Sequence, residues 1–258
     1  MPDVHLNLVD SSRQLFELDP GAEIESGEGW LFGAGRSSHP AISNAAFRTG
    51  DADPEELLAK AREFFGARSR GFSLWVRGGV PEDSDLIEAA NSAGLKQVFE
   101  MPEMTMEAKA NEPPLPTGVE LRRVVSAADA DSFWQIATSA YADNGFPPEI
   151  FRYYEDHSGL VADNAVAFLA ELDGKPVGIA MTIVRHGVAG IYWVGTLAEA
   201  RGKGIGEAVT AAAISAGFDL GVEIASLQAS PMGEPVYRRM GFEAIYRYRL
   251  LMRTPPKG

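Results

Sequence analysis

The chain has 258 residues, 36 of them acidic and 23 basic, giving a formal net charge of −13. With 45% apolar and 23% charged residues it has the balance of a globular protein with a core, not of a disordered chain. Cysteine is absent, which excludes disulfide staples, thiolate metal sites and a cysteine nucleophile. An acidic surface repels a phosphate backbone, so nucleic acid is not an expected partner. No basic cluster leads an apolar run at residues 1–10, and no stretch reaches the roughly 18–20 apolar residues of a membrane span. A cytoplasmic protein without a membrane partner is expected.

In the first half, Gly27-Glu28-Gly29-Trp30-Leu31-Phe32-Gly33-Ala34-Gly35-Arg36 is rich in glycine, but no helical pattern follows and Pro40 interrupts. It reads as a hairpin between strands. Residues 54–65 read as a helix, with Asp53 as N-cap, Pro54 at the first position and Leu57, Leu58, Ala61 and Phe65 on one face. A strand at 72–76 and a helix at 84–93 stopped by Gly94 come next. Another strand starts over 96–100. The segment Ala110-Asn111-Glu112-Pro113-Pro114-Leu115-Pro116-Thr117-Gly118 holds three prolines and a glycine, which continue neither a helix nor a central strand. It divides the chain into an expected domain at 1–110, a linker at 111–118 and a second domain at 119–258.

The second half alternates between periods. A strand at 119–125 is followed by a helix whose cap, Ser126, has Asp129 three residues on, as in a capping box. Its inward stripe is Phe133, Ile136, Ala137 and Ala140. Pro147-Pro148 suits the start of a short helix running to His157. Strands at 165–171 and 177–184 flank an Asp173-Gly174-Lys175 turn, and 191–196 is a third strand. An alanine-rich helix at 207–218, a strand at 223–229, a short helix at 234–240 and a strand at 244–252 complete the order. This is an α/β chain with a mixed sheet, not a simple βαβ repeat. The order helix, strand, helix, Gly, strand occurs at the end of both halves, with Gly94-Leu95 standing where Gly241-Phe242 stands. Two copies of one fold in tandem are expected.

Chemistry is densest at Arg201-Gly202-Lys203-Gly204-Ile205-Gly206, between a strand and a helix. A pyrophosphate needs converging backbone N–H groups and the positive end of a helix dipole. Glycines let the backbone approach closely and take positive φ. A dinucleotide fold asks for G-x-G-x-x-G after its first strand, and a nucleotide-hydrolysing loop for G-x-x-x-x-G-K-S/T; neither fits here. A Gly-rich turn with solvated basic residues is the plain alternative.

Arg201-x-x-Gly204-x-Gly206 resembles the R/Q-x-x-G-x-G/A signature of the GNAT superfamily of N-acetyltransferases, and it stands between strand and helix as that motif does. Ala198 replaces a proline found in many members. A second match lies about 30 residues on, where Val236-Tyr237 and Gly241-Phe242 follow a strand and a short helix. The resemblance implies the acyl-CoA N-acyltransferase fold and acetyl-CoA as cofactor. The amides of residues 201–206 are then on the pyrophosphate, and the backbone of Val194, Gly195 and Thr196 is beside the pantetheine arm. It further implies Tyr237 as the acid that protonates the leaving thiolate. Packing under the cofactor is the other reading of that tyrosine. Ser230 stands where many relatives have a cofactor-contacting asparagine.

The acceptor side is fainter. Relatives often use a strand carboxylate as base, and Glu171 is the candidate, with Glu223 a weaker one; a solvated strand-end acid explains each as well. Tyr141 and Phe146 suit an apolar wall and Asp143 an amine contact, although a plain helix–helix turn accounts for the same residues. Trp30, His39 and Asn44 are offered by the first half. Four scattered histidines, His157 and His186 among them, have no metal-ligand spacing. The expected reaction is direct transfer of an acetyl group to an amine of a small molecule or peptide, and one cofactor site per chain. A cofactor-sensing module without turnover is the alternative.

Overall fold

The computed structural model describes residues 2–107, 114–143, 145–154 and 157–254. Part of the linker read above, residues 111–113, and Asn144 lie outside them. The backbone forms helix α1 (Val4–Phe16), strands β1 (Glu23–Gly27), β2 (Trp30–Ala34) and β3 (Asn44–Arg48), helix α2 (Pro54–Ala67), strand β4 (Phe72–Gly78), helix α3 (Ser84–Ser92) and the long strand β5 (Lys96–Met106). The second half adds β6 (Val119–Arg123), α4 (Ala127–Ala142), β7 (Ala165–Leu172), β8 (Lys175–Arg185), β9 (Val188–Thr196), α5 (Ile205–Asp219), β10 (Ile224–Gln228), α6 (Glu234–Met240) and β11 (Glu243–Arg253).

All of these strands belong to one mixed sheet in the order β1-β2-β3-β4-β11-β5-β10-β9-β8-β7-β6. The two parallel pairs, β3 with β4 and β9 with β10, are joined by crossover helices α2 and α5. At the centre the terminal strands trade places. β5, which ends the first half, pairs with β10 of the second, and β11, which ends the second, pairs with β4 of the first. The two long strands then pair with each other along Glu243–Met252.

Local chemistry explains the elements that frame this sheet. Asp53 caps α2 through Glu55 and Glu56 amides, with Pro54 in the first turn. Ser126 and Asp129 form the full capping box of α4. The β7–β8 hairpin turns on Asp173 and Gly174, both at positive φ, as a two-residue turn with matched twist requires. Gly94 and Gly241 end α3 and α6 in the left-handed region, and the next amides bond back five residues, Leu95 to Ala90 and Phe242 to Tyr237, at 3.0 Å each. The residue matching Tyr237 in the first half is thus Ala90.

Two corrections to the sequence reading concern helices. Residues 148–157 do not form one helix. A 3₁₀ turn covers Pro148–Ile150 and a second covers His157–Leu160. Between them Phe151 and Tyr154 turn into an aromatic cluster with Trp134 and Trp193, and that packing overrides local helix formation. Helix α1 was not foreseen, because its inward face is polar: His5, Asn7, Ser11 and Gln14 are all buried.

The sheet has two covered faces. On the front, α1 and α4 close a core containing Leu8, Phe133, Ile136, Met181, Tyr248 and Leu250. On the back, α2 and α3 pack over Phe32, Leu74 and Leu251, while α5 and α6 pack over Ala180, Ile191 and Leu227. At the front of the central seam, Tyr248 of β11 meets His5 Nδ1 at 2.8 Å and Tyr246 at 3.1 Å, while His5 Nε2 donates to the Arg48 carbonyl at 2.6 Å. Tyr248→Phe leaves His5 Nδ1 buried without its partner. It is expected to lower stability by about 1–3 kcal/mol, measured as a shift of the urea unfolding midpoint at constant slope.

Candidate active site

Strand β9 is bulged where it faces β8. Met181 opposes Tyr192 and Ile179 opposes Gly195, so Trp193 and Val194 together face the single residue Ala180. Trp193 takes φ +51°, a costly conformation for a tryptophan. It is held there by rings of Phe151 at 5.1 Å, Tyr141 at 5.3 Å and Trp134 at 6.1 Å. On its other side β9 pairs with β10 only from Ile224 to Ser226. Beyond Gly190 the two strands part, so Val194, Gly195 and Thr196 run along a gap in the sheet without a β10 partner.

Leading out of β9, a 3₁₀ turn at Ala198–Ala200 delivers the chain to the glycine loop. Gly202 and Gly204 have φ +74° and +78°. Gly204 is the N-cap of α5 and brings no capping side chain, so the first amides of that helix, from Ile205, face outward without an intrahelical partner. This is a ready anion cradle. Lys203 is exposed at its rim. Arg201 is engaged: its Nε donates to the Thr196 carbonyl at 3.1 Å and its guanidinium pairs with Asp143 at 2.7 Å. It braces the loop against both the end of β9 and the C-cap of α4.

The second motif lies across the gap. Gly233 has no room for a side chain, since a Cβ there would stand 2.8 Å from the Tyr237 ring. Ser230 Oγ accepts the Gly233 amide at 3.1 Å and shapes the turn into α6. Burial holds the Tyr237 phenol well above its ordinary value, so it stays protonated at neutral pH. The Tyr141 phenol is likewise raised, first by burial and then by Tyr237. These tyrosines stand on helices at opposite faces of the sheet, and Tyr237 acts on Tyr141 across it. Tyr141 also meets Phe146 at 6.0 Å, and Phe146 meets His39 of the first half at 5.8 Å. Asn44 supports His39 by donating to its carbonyl at 3.0 Å.

Other sequence candidates stand elsewhere. Glu171 accepts from Arg122 at 2.5 Å on the β6 side of β7, and Arg122 also binds Asp129, so its carboxylate is committed two strands away from the gap. That pairing sets Glu171 apart from the gap. Asp143 pairs with Arg201 beside the loop at 2.7 Å. Glu223 is exposed at the head of β10. His157 pairs with Asp131 at 3.6 Å and His186 with Asp10 at 2.6 Å, both distant in the fold from the gap. Trp30 stacks on Phe32 within the first half.

Sequence reasoning missed Glu103. The strand was read as starting over 96–100 and was not followed to Glu103; Pro102, on the way, lacks the N–H that a central ladder uses. Pro102 is tolerated because β10 pairing begins at the next residue, and its carbonyl accepts the Ala229 amide at 3.0 Å. Glu103 then faces the front and is 0% exposed. Gln228 Nε2 donates to its Oε2 at 2.7 Å, while Oε1 has no partner. Burial raises its pKa to about 8, opposed by the hydrogen bond from Gln228. The available signal was an acid alternating with Met104 and Met106 in a strand-like run.

Three comparisons agree with this geometry. Residues 130–242 match the acetyltransferase (GNAT) family, and the chain contains a GNAT-family acetyltransferase domain. A mycothiol acetyltransferase of Pseudarthrobacter chlorophenolicus is 30% identical over 186 residues, covering 67% of this chain and 57% of that protein. A similar protein from an Arthrobacter strain is 28% identical, with 79% and 64% covered. The chain thus spans about three fifths of the length of these curated relatives. A GCN5-related N-acetyltransferase from Kribbella flavida superposes over 98% of this chain and 96% of its own with a TM-score of 0.71 at 24% identity, which establishes the fold. No helix among the described residues is long and apolar enough to cross a membrane.

The raised Glu103 pKa has a thermodynamic sign. The folded state holds this proton more tightly than the unfolded chain, so the associated stability is complete below about pH 4.5 and is lost as pH rises to about 8. Each unit of elevation is worth about 1.4 kcal/mol. Relative to Glu103→Gln, the native protein is expected to lose a few kcal/mol between these limits and nothing further above them. Urea unfolding of both proteins across this pH range measures it.

Proposed function

We propose that the chain transfers an acetyl group from acetyl-CoA to a primary amine by direct attack within one ternary complex. The observation that carries this reading is the uncapped N-terminus of α5, with Gly202 and Gly204 at positive φ, at the end of a bulged strand that has parted from its neighbour. Acetyl-CoA supplies the activated acyl group when bound. In this reading the amides of the 201–206 loop hold its pyrophosphate, Arg201 braces the loop, and the backbone of Val194, Gly195 and Thr196 accepts the pantetheine arm along the gap. Ser230 borders the arm from the turn before α6.

Tyr237 is the proton donor to the departing sulfur. Its raised pKa keeps the proton in place until a strong base, a thiolate, forms beside it. With no cysteine in the chain, no cysteinyl acyl-enzyme is available, which favours direct attack. The aromatic wall of Tyr141 and Phe146, extended by His39, borders the acceptor. The name of the curated relatives favours a small molecule over a protein tail as acceptor.

We infer further that the halves at 1–110 and 119–258, joined by 111–118, are two copies of one unit, the first without a phosphate loop or a counterpart of Tyr237. A tandem GNAT protein from the clavulanic acid pathway, with a TM-score of 0.63 over 98% of this chain and 14% identity, supports that reading at the level of fold. One cofactor site per chain follows.

Release of coenzyme A thiol from acetyl-CoA in the presence of a panel of small primary amines tests the activity. Turnover with none of them overturns it. Tyr237→Phe is expected to lower kcat by about 100-fold or more while acetyl-CoA affinity changes little; an unchanged kcat removes the acid role. Gly204→Ala, forced into the left-handed region at a cost of about 1–2 kcal/mol, is expected to weaken acetyl-CoA binding roughly tenfold by calorimetry.

A further inference from the structure

Acyl transfer needs a free amine lone pair, yet a primary amine arrives largely as ammonium at neutral pH. Loss of Glu171 from the site leaves that proton without a destination. Around the gap the front-facing side chains are Tyr192 of β9, Ser226 and Gln228 of β10, Glu103 of β5, and Tyr246 and Tyr248 of β11. Glu103 and Gln228 are cross-strand partners, and Gln228 ends β10 just past the point where β9 leaves it. Tyr192 immediately precedes the bulge, and its buried phenol is raised partly by the Glu103 charge. The Glu103 carboxylate therefore lies at the front of the same opening that Tyr237 borders from the back.

We propose that Glu103, delivered by the terminal strand of the first half, takes the proton that the acceptor's ammonium sheds before attack. This rests on the acyl-transfer reading above. The step is a simple transfer: the N–H bond breaks, the nitrogen keeps the pair, an O–H bond forms at Oε1, and a cation and an anion become two neutral groups. The proton returns to solvent after turnover. Oε2 is fixed by Gln228, while Oε1 makes no direct hydrogen bond among the described residues and Ser226 is the other donor that acts on the carboxylate.

The chemistry around the carboxylate suits this task. Of the groups facing it, Gln228 and Ser226 are neutral, and Tyr192, Tyr246 and Tyr248 are held well above their ordinary values mainly by burial, so they too stay neutral. Tyr192 is in turn anchored on Asn7 of α1 at 2.7 Å. His5 and Arg77 reach this group only through Tyr248 and Tyr246. An ammonium brought to this carboxylate is matched to it in charge, and its arrival favours the ionised form that can accept a proton. A base with pKa near 8 also matches the amines it must deprotonate. The first half thus completes the chemistry of the second.

The test uses the full chain, acetyl-CoA, and ethanolamine and D-glucosamine as amine probes, with Glu103→Gln and Glu103→Asp. Thiol release is followed from pH 6 to 10, and the ratio of wild-type to Glu103→Gln kcat/KM is plotted, which cancels the titration of the amine. The ratio is expected to climb about tenfold per unit and level near pH 8 at about 100-fold or more, with acetyl-CoA affinity unchanged and Glu103→Asp recovering part of the climb. A ratio near one, or one independent of pH, overturns the proposal. Independently of turnover, the protonated-carboxyl infrared band that Glu103→Gln lacks is titrated with coenzyme A bound. Adding either probe is expected to lower its midpoint by about one unit or more; an unmoved midpoint also overturns the proposal. A shifted midpoint without turnover of any amine sinks the acyl-transfer reading while keeping Glu103 as the cation's partner.

Discussion

Everything at the candidate site depends on the two residues of β9 that share one partner on β8. A strand with continuous pairing on both sides has no free backbone to offer. By setting Trp193 and Val194 opposite Ala180, the bulge turns β9 away from β10 and frees a row of main-chain groups in the middle of a large sheet. Gaps of this kind are unstable unless their walls are fixed. Here the fixing comes from the aromatic cluster around Trp193 on one side and from Arg201 on the other, which clips the Thr196 carbonyl to the cap of α4. The strained tryptophan and the braced loop are two ends of one device.

The chemistry then divides by sheet face. The phosphate cradle belongs to α5 and Tyr237 to α6, both on the back, while the aromatic wall and the buried acid belong to the front. In the proposed reaction a substrate pair meeting in the gap is approached from opposite sides, and Tyr237 and Glu103 do not compete for one position. The acidic surface of the protein has little bearing on this. What counts is local: open helix amides for the anion, and one carboxylate among neutral phenols for the cation.

Much of the second half was legible because its signals are short-range. Ser126 and Asp129, Asp173 and Gly174, and the glycines at 202, 204 and 241 each force a backbone conformation within a few residues. The cofactor loop belongs to this class. What could not be read are features made by partners far away in the chain. Helix α1 hides its periodicity because Asn7 faces inward to satisfy the carbonyls of Ile183 and Val188, some 180 residues later. Asp143 looked free until Arg201 was brought to it, and Glu171 looked catalytic until Arg122 was. Glu103 was passed over because the strands that bury it, β10 and β11, lie more than a hundred residues downstream.

The exchange of the two terminal strands separates covalent order from structural order. When the ribosome has finished the first half, β5 exists but its neighbours on either side do not, and β4 waits with an open edge for a strand that ends at residue 253. Neither half can seal its sheet alone, so closure of the seam is a late, long-range event in the life of each molecule. Once closed, the halves are joined main chain to main chain, β5 with β10 and β11 with β4. In this protein the peptide that joins the halves in sequence is not what keeps them together.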